Sequence, residues 1–133
     1  MARAWAMRHN KTQWLAMGPV NVYFGFCGSE KAYRKSIKKM AVENPPEFIP
    51  CGAGAVLHTL SDGGAPTLLM CLDVESVKKQ YNRIQIDALI AHESAHVAQR
   101  CVDEMVAHDE KELFAYIVQH SFGFVANLVW GDK

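Results

Sequence analysis

Proline is absent after Pro66, so the second half of this 133-residue chain is free to be helical. Cysteine is sparse and scattered. Cys27, Cys51, Cys71 and Cys101 form no C-x-x-C pair. An even count permits disulfides, but Cys71 lies in an apolar run and Cys101 in a helical pattern, settings that favour buried thiols. No apolar run approaches membrane-spanning length, so no membrane partner is expected. The first residues are interrupted by Arg3, Arg8 and Lys11 before any apolar core forms, unlike a secretory signal. Net charge is also lacking: fourteen Lys and Arg balance fourteen Asp and Glu.

The balance hides an asymmetry. Residues 1–50 carry eight basic and three acidic side chains, and residues 101–133 carry two and six. Two oppositely charged solvated faces account for this. Nucleic acid is disfavoured as a partner, because the sequence shows no dense basic stripe with stacking aromatics.

Half the residues are hydrophobic, enough for one core, and neither a repeat nor a linker divides the chain. The expected organisation is one domain, 1–133, with residues 1–19 reading as a more loosely attached N-terminal segment. Residues 20–27, VNVYFGFC, are rich in β-branched and aromatic types and predict a strand. Ser29 is a candidate N-cap for a helix with Tyr33, Ile37, Met40 and Ala41 on one face and lysines on the other, closed by Pro45 and Pro46. Residues 55–60 and 67–74 flank Asp62-Gly63-Gly64 and predict a hairpin whose second strand is covered on both faces. His58 is expected at a strand surface. From Val77 the pattern turns helical, with Ile86, Ile90, Val97, Cys101 and Met105 facing the core. Asp109 can cap a last helix running to about Val129. The predicted order is strand, helix, hairpin, helix, helix.

Within the fourth of these elements stands LIAHESAHVAQR, residues 89–100, with His92, Glu93 and His96 in the pattern H-E-x-x-H. Residues four apart share a helix face, so both imidazoles can grip one ion. Such a helix suits zinc, with His92 and His96 as ligands and Glu93 as the general base toward water. Two histidines and a glutamate in an otherwise apolar helix are costly without a partner. A catalytic zinc takes a third protein ligand. Glu112 is the first choice, because it lies in the helical pattern E-x-x-A-Y, where small Ala115 permits close approach to the H-E-x-x-H helix. Glu110 is the nearest alternative, and His108, Asp109 and His120 lie in the same stretch. Tyr116 stands one turn beyond Glu112, either to assist at an oxyanion or to sit in the core with its hydroxyl satisfied.

HESAH followed by ELFAY resembles the zinc peptidases in which H-E-x-x-H and a glutamate on the next helix hold the metal, the gluzincins. More narrowly, SEKAYRKSIKKM (29–40), HESAHVAQ (92–99) and ELFAYIVQ (112–119) resemble a family of small phage and prophage proteins of metallopeptidase type. The resemblance spans about residues 20–122. It implies an α+β, minimal zincin-like domain: a small sheet with a hairpin, packed on the H-E-x-x-H helix and a following C-terminal helix. It implies zinc held by His92, His96 and Glu112, with Glu93 as catalytic acid and base. Ser94 replaces the family's usual alanine, and Ala98 stands where a bulky aromatic is common.

The leading expectation is a zinc-dependent metallopeptidase acting on a peptide or protein substrate in the host cytoplasm or during phage assembly. The alternative is a non-catalytic, zinc-stabilised phage accessory protein that binds a host or virion protein. In that case a fourth ligand such as His120, His108 or Cys101 would close the site. A nucleic-acid binder using the Lys31–Lys39 helix ranks third.

Overall fold

The computed structural model describes residues 9–18, 20–61, 64–103 and 111–131. In chain order these form β1 (Gln13–Leu15), β2 (Tyr23–Cys27), α1 (Glu30–Lys39), β3 (Val56–Leu60), β4 (Thr67–Cys71), α2 (Val74–Gln80), α3 (Arg83–Asp103) and α4 (Lys111–Trp130). The class is α+β. One four-stranded sheet has the order β1-β2-β4-β3. β1 and β2 are antiparallel, as are β3 and β4, while β2 and β4 run parallel. The sheet is therefore mixed.

Strand alternation sends side chains to two separate cores. Phe24, Phe26, Leu68 and Met70 point to the side covered by α2, α3 and α4, where Ile86, Ile90, Val97, Ile117, Val125 and Val129 meet them. Cys27, Leu69 and Cys71 point the other way, toward α1, and pack with Ala32, Tyr33, Ile37 and Phe48. β4 lies between β2 and β3 and is covered on both faces, which explains its unbroken apolar sequence.

α1 starts where its cap residue predicts. Ser29 Oγ accepts from the Ala32 N–H at 3.2 Å. The helix stops in a Schellman turn, with Val42 N–H bonded to Ile37 O at 3.2 Å and Ala41 N–H to Lys38 O at 3.1 Å. Ala41 holds the left-handed conformation there at φ 55°.

Several expectations change. Residues 13–15 of the N-terminal stretch are built into the sheet as β1 and are not loosely attached. The first strand begins at Tyr23 and the second hairpin strand ends at Cys71. The stretch from Val77 is not one helix. α2 ends near Tyr81, and a reciprocal capping box starts α3: Gln85 N–H donates to Asn82 Oδ1 at 2.8 Å, and Asn82 N–H to Gln85 Oε1 at 2.9 Å. The hairpin's Asp62 and Gly63, the core candidate Met105 and the cap candidate Asp109 lie outside the described residues. His58 is buried: its Nε2 bonds Phe48 O at 3.0 Å and its ring lies against Tyr33. None of the four cysteines forms a disulfide, and all but Cys51 are buried.

α4 also exceeds what apolar runs suggested. With 20 residues it is long and apolar enough to cross a membrane, by length and composition only. In this fold it lies along α3 in the most extensive helix pairing of the molecule.

Candidate metal centre

α3 buries one stripe made of Ile86, Ile90, Glu93, Ser94, Val97, Ala98 and Cys101. The apolar members fix the rotation of the helix. That rotation puts Glu93 on the buried stripe and His92 and His96 on the exposed flank beside it.

The two imidazoles meet. His92 Nε2 and His96 Nε2 are 3.3 Å apart, with ring centroids at 4.9 Å and planes at 78°. Two nitrogens bound at 2.0–2.1 Å to one tetrahedral ion would stand about 3.3 Å apart. The spacing of this pair therefore fits two ligands of one zinc.

Glu93 is 6% exposed. The backbone amide of Leu57, on the edge strand β3, favours its ionised form. Burial raises the Glu93 carboxyl above the usual carboxylate range, against the opposing pull of the two histidines, the Leu57 N–H and His58. Sequence reasoning missed Leu57, because a main-chain donor leaves no signature in residue type. Ser94, the neighbour of Glu93, is fully buried, and its hydroxyl has no hydrogen-bond partner.

Glu112 is not brought to this cluster. It lies in the first turn of α4 and is exposed. Among the described residues no group of three His, Cys, Asp or Glu stands close enough to hold a metal. Helix register explains the gap. Trp130 Nε1 donates to Asp87 Oδ1 at 2.7 Å, so the end of α4 meets the start of α3 and the two run antiparallel. Counted from that contact at 1.5 Å per residue, Glu112 lies about 13 Å beyond the level of His96, toward the 104–110 connection. His120 is nearly level with His96, half-buried, with its ring stacked on Tyr116 at 5.5 Å and 16°. Tyr116 is 60% exposed, so it is not a core tyrosine. Cys101 is fully buried among apolar groups. Glu110, His108 and Asp109 lie outside the described residues.

No protein-family model matches the chain, and no curated protein or solved structure matches it either.

Proposed function

We propose that the protein is a zinc-dependent, zincin-like metallopeptidase of the phage and prophage type that its motifs resemble. The observation that carries this reading is the 3.3 Å approach of His92 Nε2 and His96 Nε2 beside the buried carboxylate of Glu93. Nothing else in the helix rewards placing three such groups together.

His92 and His96 would hold the ion, and α4 would supply the third ligand. Glu112 is the candidate by motif, and it would need α4 to shift by about 13 Å along α3. His120 is the candidate by helix level. A zinc ion held there would polarise a carbonyl and make water more acidic. Glu93 would take up a water proton on its carboxylate and return it to the leaving amine. An extended peptide would lie along the β3 edge, paired through main-chain groups. Tyr116 is exposed, and assistance at an oxyanion would be its role if the peptide passes beside it.

The test is metal content after zinc reconstitution and desalting. One zinc per chain is expected in the wild type, and a strong loss in His96→Ala. Glu112→Ala and His120→Ala identify the third ligand by which of them releases zinc. Binding should weaken in acid, since imidazoles bind metal only when neutral. A wild-type protein that retains no zinc, nickel or cobalt overturns the reading. Retention of zinc by the wild type in a closed four-ligand site, with no cleavage of a peptide library, favours the accessory-protein alternative.

A further inference from the structure

The sheet has a second face with a surface of different chemistry, on the α1 side and independent of the metal reading. A cavity of about 640 Å³ opens between β1, β2 and the C-terminal half of α1. Lys11, Lys35 and Lys39 line it together with Trp14 and Tyr23, and among the described residues no carboxylate does. Trp14 is 50% exposed and Tyr23 62% exposed, unusual for large rings on a small domain.

The rings are held in place by the sheet. Trp14 is the cross-strand partner of Gly25. A Cβ on Gly25 would come within 2.9 Å of the Trp14 ring, so the indole occupies the space that a side chain there would fill. Tyr23 is two residues from Gly25 and faces the same side of the sheet.

The cations continue beyond the cavity. Lys31, Lys35, Lys38 and Lys39 recur at i, i+4, i+7 and i+8 on one stripe of α1, all exposed. Lys35 Nζ donates to Asn10 O at 3.3 Å, and none of the four lysines forms an ion pair among the described residues. Lys31 to Lys39 spans about 12 Å of helix, further than one phosphate reaches.

We propose that this groove binds single-stranded nucleic acid, with bases stacked on Trp14 and Tyr23 and the phosphate backbone following Lys11, Lys39, Lys35 and Lys31. Rigid exposed rings beside a row of lysines, with Glu30 next to Lys31 tied up by Arg34, are the parts such binding requires. An acidic peptide would use the lysines and leave both rings in water. A duplex keeps its bases stacked inside and cannot offer them to the rings.

The probe is a fluorescein-labelled ten-nucleotide oligo(dT), read by anisotropy on the full chain at low salt. Expected is saturable binding that weakens with salt, with a log–log slope of about −3 for four phosphate contacts. Trp14→Ala should weaken binding about tenfold, Trp14→Phe should restore most of it, and Lys35→Glu/Lys39→Glu should abolish it. Tyr23→Ser, at a largely solvated side chain, is the second variant if Trp14→Ala fails to fold, with the same expected loss. Zinc content should not change in these variants, so this test and the metal test fail separately. The proposal is overturned by absence of binding at low salt, by equal binding of Trp14→Ala and wild type, or by equal or tighter binding of duplex DNA. It is also overturned if polyglutamate or thymidine monophosphate displaces the oligonucleotide at comparable concentration, which would indicate an acidic protein segment or a free nucleotide.

Discussion

Each side of the sheet buries a titratable side chain, and the two are treated differently. On the α1 side, His58 bonds Phe48 O at 3.0 Å and lies against Tyr33, whose own hydroxyl donates to Pro46 O at 2.7 Å. Burial pushes the Tyr33 phenol up to about 12, so it stays neutral. Both groups are bonded to main-chain carbonyls. On the α3 side, Glu93 sits among apolar residues beside two histidines that meet edge to edge, and Ser94 has a hydroxyl with no partner. A satisfied buried polar group is explained by the fold alone. An acid kept near two imidazoles is not, and chemistry is the remaining reason to keep it.

The largest expected effect tests that distinction directly. Glu93→Gln keeps the shape of the side chain and removes its basicity. Peptide cleavage should fall by roughly 10²–10⁴-fold, with zinc content near that of the wild type. Loss of zinc together with activity would make Glu93 a structural group like His58, and the contrast would collapse.

The complementary substitution is His58→Ala. It strands the Phe48 carbonyl in the interior and opens a cavity, so unfolding free energy should drop by about 2–4 kcal/mol in a urea titration. Zinc stoichiometry should not move. A His58→Ala protein of normal stability that has lost zinc would instead place His58 in the metal centre.

What could be read from the sequence divides along a physical line. Local signals were sufficient for α1 with its Ser29 cap, for the two hairpin strands and for α3 and α4, because caps, turn residues and periodicity act within a few residues. The His92, Glu93 and His96 constellation belongs to this class, since one helix carries all of it. β1, with three residues, and α2, with seven, were too short to show a period. The parallel pairing of β2 with β4 joins segments far apart in the chain, and no local signal reports it. The same limit hid the Trp14 and Tyr23 groove. Lysines on α1 are visible in sequence, but their closeness to two exposed rings depends on how β1 and β2 pair. Glu112 failed to reach the histidines for a related reason. Its helix was predictable, and the sliding of that helix along α3 was not.

A smaller effect is expected at the end of α1. Ala41 adopts φ 55° in the Schellman turn, a conformation that strains any residue with a Cβ. Ala41→Gly should stabilise the protein by about 0.5–1 kcal/mol, offset in part by the added freedom of glycine in the unfolded chain. The α1 side should then be more stable by urea titration with zinc content unchanged. A destabilised Ala41→Gly would mean that its methyl group packs in a way that outweighs the strain.

The finest test returns to Ser94. Its hydroxyl is fully buried with no partner, on the stripe that carries Glu93. Burying an unpaired hydroxyl costs roughly 1–3 kcal/mol relative to an apolar group of the same shape. Alanine also has the higher helix propensity. Ser94→Ala should therefore raise stability by about 1 kcal/mol, seen as a higher urea midpoint with an unchanged slope. If the hydroxyl serves only the fold, peptide cleavage should stay at the wild-type level. If the stability gain comes with a loss of cleavage at constant zinc content, the unpaired hydroxyl takes part in orienting Glu93. That result would extend the functional side of the comparison by one residue. A loss of stability in Ser94→Ala would show that the hydroxyl is bonded after all, and the α3 side would then be as fully satisfied as the α1 side.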